Sequence, residues 1–387
     1  MATGEKPYRI YRGGRTKGKV PLARREDAAR YRAGRNGGGP ERAVTRRPRR
    51  RWSWRRRIGV GVLVVGLLFV VWAVAGWLSL RSGVKDANAR LPAGTTTALS
   101  KQNGLLISSS TDILLLGTDH SSLASRAGDR HSDSIVLLRT DPGRHRLTYL
   151  SIPRDLRVPI PGYGEDKINA AFQIGGPALA IRTIASFTGL PVNHVVIVDF
   201  GQFEKLIDAV GGVDINVPAP ILSDKFDCPY SAPRCATWQG WRFAKGWQHM
   251  DAHRALIYSR IRVNRLNPSE SDLTRGERQQ QVLQALTSKL VSLGTFLRLP
   301  FDGAGLVKPI TTDLSTWQLT QLAWVKFRAG QTLHCRLGGE DQGGGYLVST
   351  PHNFGVIQMV RGNSAPQPPP PGSGPFGAGC VSGNQHF

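Results

Sequence analysis

Residues Ile58–Leu80 read IGVGVLVVGLLFVVWAVAGWLSL, 23 residues without a charge. As a helix rising about 1.5 Å per residue, this stretch is roughly 35 Å long, enough for a hydrocarbon core of about 30 Å. The run is longer than the apolar segment of a cleaved signal peptide, and 57 residues precede it. It therefore predicts one uncleaved membrane anchor over 58–80. Trp54, Trp72 and Trp77 lie at or near its ends, where interfacial aromatics sit. Arg55-Arg56-Arg57 precede it, so the positive-inside rule keeps the N-terminus cytoplasmic and puts everything after Arg81 outside a cell membrane.

The anchor changes how the charge is read. The net charge of +24 first suggests a nucleic acid or an anionic membrane as partner. Residues 1–57 hold 20 Lys and Arg against 4 Asp and Glu, whereas the other 330 residues hold 31 against 23. The excess is thus concentrated in an Arg- and Gly-rich tail with little apolar content, expected to be disordered. Beside an anionic inner leaflet such a tail gains about 1 kcal/mol per nearby charge. It carries no nucleic-acid fold motif, so membrane lipid is the expected partner and nucleic acid is not.

All four cysteines, Cys228, Cys235, Cys335 and Cys380, follow the anchor. An oxidising exterior permits disulfides, and four cysteines allow three pairings. CPYSAPRC is a short turn-rich loop, which favours Cys228–Cys235 and leaves Cys335–Cys380 to tie the tail back. Four free thiols are the alternative. Paired C-x₂₋₄-C spacings are absent, which argues against zinc.

Beyond a polar stalk at 81–110 the texture becomes alternating strands and helices. Ile113–Leu116, Ser134–Arg139 and Leu147–Ile152 read as buried strands, the last two joined by an Asp141-Pro142-Gly143 turn. Residues 168–188 read as a helix interrupted at Gly175-Gly176-Pro177. His194–Asp199 and Val213–Val217 are further strands around a short helix at Phe203–Val210. A long helix is predicted over Leu273–Leu293, from Val282, Leu283, Leu286, Leu290 and Leu293. This mixture predicts an α/β domain with a mostly buried sheet over 111–362, less regular after 296. Residues 363–387 are too rich in Pro and Gly to fold alone, with Pro368–Pro371 as a short polyproline spacer.

Charged side chains crowd where these strands end. Asp119 closes the first strand, Asp133 opens the second, and Arg154 follows the third. In open α/β sheets that rim binds ligands, and two carboxylates suit a hard cation such as Mg²⁺. Arg260 and Arg262 are two apart, so an extended segment points both the same way. Asp272, Arg275 and Gln279 share one face of the long helix. Guanidinium forks match phosphate oxygens, and arginines beside paired carboxylates are parts for phosphoryl transfer. Singly each residue has an ordinary explanation: Asp133 as a strand start, Asp272 as a helix cap, Arg260 and Arg262 as solvated surface charge. There is no P-loop, no G-x-S-x-G and no paired-His metal spacing.

The strings LLLGTD (114–119), SDSIVLLRTDP (132–142), SIPRDL (151–156) and KINAAF (167–172) resemble, in order and spacing, the LytR–CpsA–Psr family. So do VDFGQFEKLIDAVGGVDINV (198–217), ALIYSRIR (255–262) and DLTRGERQQQVL (272–283). The resemblance covers roughly 111–295, and the Arg- and Gly-rich usage suggests an actinobacterial type. It implies a three-layer domain with a mixed central sheet flanked by helices. It also implies transfer of a polyprenyl-pyrophosphate-linked glycan polymer, with its phosphate, onto a peptidoglycan hydroxyl, with pyrophosphate hydrolysis as side reaction. By matching position Asp119 and Asp133 would bind Mg²⁺, or Mn²⁺ in its place. Arg154, Lys167, Arg260, Arg262, Arg275, Arg278 and Gln279 would line the pyrophosphate site. Asp272 would orient arginines or handle a proton, and Asp119 is a second candidate base. The family places an Arg two residues before the second metal Asp, where this chain has His131, so Arg130 is expected to fill that role. Two other classes stay open: a non-enzymatic membrane regulator, and a dedicated polyprenyl-pyrophosphate phosphatase. The polymer moved, the acceptor site and the oligomeric state are not legible.

Overall fold

The computed structural model describes residues 53–118, 132–268, 270, 272–373 and 376–383, and two short strands nearer the N-terminus. The chain divides into two compact units, Met1–Val62 and Leu63–Phe387. The first holds the antiparallel pair Tyr8–Arg9 and Val20–Pro21 and the start of a long helix. Most of the basic tail lies outside the described residues.

That helix, α1, runs Trp54–Ala89 and is the one unbent helix among the described residues long and apolar enough to cross a membrane. Its most apolar window is entirely unburied. The predicted stalk at 81–110 begins instead as more helix: α1 continues nine residues past Leu80, and Val84 and Ala87 are buried against Leu306 and Val307. An apolar stripe that finds a packing partner extends the helix beyond the uncharged stretch.

The larger unit is built on a seven-stranded mixed sheet. Its strands are β1 (Thr111–Thr118), β2 (Ser132–Asp141), β3 (Arg146–Ser151), β6 (His194–Asp199), β9 (Thr311–Thr312), β10 (Gln331–Arg336) and β13 (Gly379–Ser382), in the order β9-β6-β1-β2-β3-β10-β13. β1 pairs parallel with β6 and β3 parallel with β10, and the other neighbours are antiparallel. The turn between β2 and β3 is the predicted one: the Asp141 carboxylate accepts from the Arg144 amide at 3.3 Å. Alternate residues face opposite layers. Leu114, Leu116, Leu137 and Leu150 pack with Ile181 and Ile184 of α2 (Ala170–Thr188) and with Val356 and Val360 of α8 (His352–Arg361). Ile113, Val136, Leu138 and Tyr149 face Leu283 of α5 (Asp272–Leu290) and Val325 of α7 (Thr316–Arg328). Helices on both faces of a mixed sheet give the three-layer domain.

A smaller sheet is formed by β4 (Leu156–Ile160), β5 (Gly164–Lys167), β11 (Glu340–Asp341) and β12 (Leu347–Val348). A second core gathers α3 (Phe200–Ala209), β7 (Val213–Val217), β8 (Gly246–Met250), α4 (Ala252–Arg260) and one face of α5, through Ile207, Ile215, Tyr258, Val282 and Leu286.

Three sequence expectations are corrected here. The long helix stops at Leu290 rather than Leu293. Ser292 caps a new helix, α6 (Leu293–Val307), accepting from the Thr295 amide, and the chain bends by 78°. The region from 296 to 360 is ordered into α6, α7 and α8 with short strands between them. The Pro- and Gly-rich tail returns to the sheet: β13 faces β10 with Cys335 directly opposite Cys380, and the two are bonded. Cys228 is bonded to Cys235, so both favoured pairings are present.

Candidate active site

The carboxyl ends of β1, β3, β6 and β10 lie together because these four strands run the same way. At that rim a cavity of about 320 Å³ is walled by Ser151, Arg154 and Asp155 after β3, by Arg336 at the end of β10, and by Arg262. The first two turns of α5 supply Arg275, Glu277 and Gln279. Asp341 at the end of β11 and Gly345 just before β12 add to the wall. Four guanidinium groups meet three carboxylates here, so the lining favours an anion.

Several of these charges are fixed. Asp155 accepts from Lys167 Nζ at 2.8 Å and from Arg154 Nε at 3.2 Å. Burial alone would push the Asp155 carboxyl up, but those bonds and the two cations hold it below the ordinary range. Lys167 also lies 5.1 Å from the centre of the Tyr346 ring. Arg336 donates to Glu277 Oε1 at 3.1 Å and to the Gly377 carbonyl at 3.1 Å. Burial pushes the Glu277 carboxyl up despite Arg336, and pushes the Arg336 guanidinium down. Arg275 is only 6% exposed, and its helix delivers it and Gln279, one turn on, to the same wall.

The structure thus brings together Arg154, Arg262, Arg275 and Gln279, with Lys167 attached through Asp155. Two expected ligands stand apart. Arg260 is the last residue of α4, not part of an extended pair with Arg262, and its guanidinium is bonded to Asp227 beside Phe226. Arg278 is 5% exposed, donates to the Ile261 carbonyl at 2.9 Å and pairs with Glu270, so it braces the 261–270 segment. Asp119, Arg130 and His131 lie outside the described residues, and the side chains of Asp133 and Asp272 are not described. Asp155, Glu277, Asp341 and Arg336 were missed by the sequence reading. Asp155 and Glu277 sit inside the strings SIPRDL and DLTRGERQQQVL, where a carboxylate next to an arginine was the signal. Arg336 offers none, because only the β3–β10 pairing, Ser151 opposite Arg336, carries it to the rim.

Backbone register bears on the metal. β1 and β2 pair Gly117 with Ser134 and then Thr118 with Ser132, so Asp133 is the extra residue of a β-bulge, a device common beside active sites. Asp119 is the next residue after Thr118 in the chain. The hydroxyls of Thr118 and Ser132 are buried without a hydrogen-bond partner among the described residues. In the sequence each of these hydroxyl residues is followed directly by an aspartate, Asp119 after Thr118 and Asp133 after Ser132, and oxygen donors of this kind suit a hard cation. No group of three or more His, Cys, Asp or Glu within metal reach occurs among the described residues.

A three-layer domain with an arginine-lined rim defines the class, and the comparison with known proteins makes it definite. The family model described as "LytR_cpsA_psr family" matches residues 79–329, and the chain belongs to that family. A relative in Corynebacterium glutamicum, named "Probable cell wall biosynthesis protein LcpB", is 33% identical over 276 residues, covering 68% of this chain and 60% of its own. The Enterococcus faecalis "Polyisoprenyl-teichoic acid--peptidoglycan teichoic acid transferase TagU" is 30% identical over 212 residues, 54% of this chain and 64% of its own. "Regulatory protein MsrR" of Staphylococcus aureus is 33% identical over 190 residues, 49% of this chain and 51% of its own. The chain therefore spans less than two thirds of the length of these relatives. Among solved structures, TagT bound to LIIa-WTA superposes with TM-score 0.53 at 26% identity, covering 69% of this chain and 95% of that one.

Proposed function

We propose that this chain transfers a wall polymer carried on polyprenyl pyrophosphate, with its linking phosphate, onto a peptidoglycan hydroxyl outside the membrane. The observation that carries this reading is the cavity that gathers Arg154, Arg262, Arg275, Arg336 and Gln279 at the carboxyl ends of the sheet strands. Family membership and the relatives named as teichoic acid transferases support it. In this reading 1–57 is a cytoplasmic tail, 58–80 of α1 spans the membrane, and the described domain lies outside.

The reaction follows from charge. An acceptor oxygen forms a bond to the phosphorus that bears the polymer. The bond from that phosphorus to the bridging oxygen breaks, and polyprenyl phosphate leaves with the electron pair. The acceptor proton passes to a carboxylate, Asp119 or Asp272. Charge growing on the leaving phosphate is met by guanidinium groups already in place, the electrostatic assistance that dominates phosphoryl transfer. Asp155 and Glu277 hold Arg154 and Arg336 in position. Asp119 and Asp133 would hold Mg²⁺, or Mn²⁺, which when bound neutralises pyrophosphate charge. Water in place of the acceptor gives hydrolysis.

The test is phosphate release from polyprenyl pyrophosphate by the full chain in detergent, followed by transfer of a lipid-linked polymer to peptidoglycan. Release should require Mg²⁺ and vanish in Asp133→Ala and Arg262→Ala. Release without transfer would point to a dedicated phosphatase. Neither reaction from a folded, lipid-binding chain would overturn the proposal in favour of a regulator, as the MsrR relative is named.

A further inference from the structure

We infer that α6 is a second membrane element, its first turns dipping into the outer leaflet alongside the spanning helix with its apolar stripe against lipid; this rests on the reading that α1 spans. Leu293, Leu297 and Phe301 recur every four residues and so share one face of the helix. They are 72%, 56% and 83% exposed. A water-facing helix would carry polar side chains there, and an exposed stripe of this size marks an interaction surface. Its only charges, Arg298 and Asp302, are exposed to one side of the stripe, so the stripe itself is wholly apolar.

The occupant follows from what α6 touches on its other side. Trp72 of α1 donates from Nε1 to the Leu297 carbonyl at 3.2 Å, and its ring centre lies 4.5 Å from that of Phe296. Further along, the Ala304 amide donates to Ser79 Oγ at 3.1 Å. Small residues permit the approach: a Cβ on Gly76 would come within 3.3 Å of Leu299 Cβ, and one on Gly83 within 2.8 Å of Ala304 Cα. The contacts advance from Trp72 to Gly83 as α6 advances from Phe296 to Ala304, so the two helices run side by side in the same direction. Trp72 lies eight residues before Leu80, about 12 Å inside the outer end of the uncharged stretch. Any bilayer that α1 crosses therefore reaches the start of α6. Trp317 of α7, 6.4 Å from Trp77, adds an aromatic at the level where such rings gather.

The consequence is positional. α5 carries Gln279 at the cavity and ends at Leu290, eleven residues or about 16 Å further on, immediately before α6. Seating α6 in the interface fixes the anion-binding rim at a set height over the membrane, where a lipid-borne phosphate emerges.

The test places an environment-sensitive fluorophore on Phe301→Cys in the full chain, reconstituted in phosphatidylcholine–phosphatidylglycerol vesicles. Leu67→Cys reports the span, and Phe354→Cys, 69% exposed on α8, is the water reference. Labels at 301 and 67 should be quenched by acyl-chain nitroxides and shielded from iodide, with the reverse at 354. Iodide access at 301 with shielding at 67 overturns the inference and leaves the span intact. Iodide access at 67 removes both. A label at 301 shielded from both quenchers means that a protein covers the stripe, which also overturns it.

Discussion

The sheet carries an arginine–carboxylate cluster at each end, and the two are built from the same parts. At the carboxyl ends of β1, β3 and β10, Arg154, Arg262, Arg275 and Arg336 meet Asp155 and Glu277. At the other end Arg139 pairs with Asp112 at 2.5 Å, and Asp141 takes Arg144 at 2.9 Å and Arg146 at 3.6 Å. The side chains of the first cluster wall the cavity of about 320 Å³. In the second, Asp112 is 1% exposed and its amide donates to Asn193 Oδ1, in the loop before β6, while Arg144 on the β2–β3 turn reaches solvent. Arginines beside carboxylates at strand ends do not define a site; arginines that wall a space large enough for a ligand do. Arg275 and Arg278 repeat the lesson within one helix, since both are nearly buried and only Arg275 reaches the cavity.

The largest expected effect lies at the open end. Arg275→Ala should lower turnover by about 10²–10³-fold, the typical loss of one preorganised donor at a developing charge. Its unfolding midpoint in denaturant should change little by comparison. A stability loss large enough to explain the inactivity would make Arg275 a structural residue like Arg278 and erase the contrast.

The closed end should behave oppositely. Arg139→Ala strips a buried carboxylate of its partner, which typically costs about 3–5 kcal/mol. Denaturant unfolding should show that loss while turnover per folded molecule is kept. Loss of turnover in the folded variant would mean that the two ends communicate.

Much of the open end was legible in the sequence because strand–turn–strand spacing fixes it locally. SIPRDL and the first turns of α5 each deliver their charged residues through backbone period alone, whereas Asp119 of LLLGTD lies outside the described residues. Arg262 lines the cavity and Arg260 does not, because α4 runs on through Arg260 and a helix end points two residues apart in different directions. Arg336 was invisible because its place depends on a parallel pairing between β3 and a strand 185 residues later. The tail strand β13 was invisible for the same reason. Pro- and Gly-rich sequence predicts no element, but a partner strand and a disulfide supply one. The break at Ser292 was missed because an apolar 3.6 period continues through it, and period alone does not report a cap.

The smallest expected effect uses pH to separate the two ends. Burial pushes the Asp112 carboxyl up to about 6 although Arg139 opposes the shift. The folded state therefore prefers the protonated acid relative to the unfolded chain, whose value is 3.8. Stability from this group is complete below the unfolded value and is lost as pH rises through about 6. Lowering pH from 7 to 4 should thus stabilise the wild type relative to Asp112→Asn, by at most about 3 kcal/mol at roughly 1.4 kcal/mol per unit. Asp155 works with the opposite sign, because its carboxyl is held low: its contribution is present above 3.8 and is lost only as pH falls further. Glu277 shares the sign of Asp112 but sits at the cavity, so it contributes equally to wild type and variant and cancels in the comparison. Parallel stability–pH curves for the two proteins between pH 7 and 4 would mean that water reaches Asp112, and the closed end would then be no more sealed than the open one.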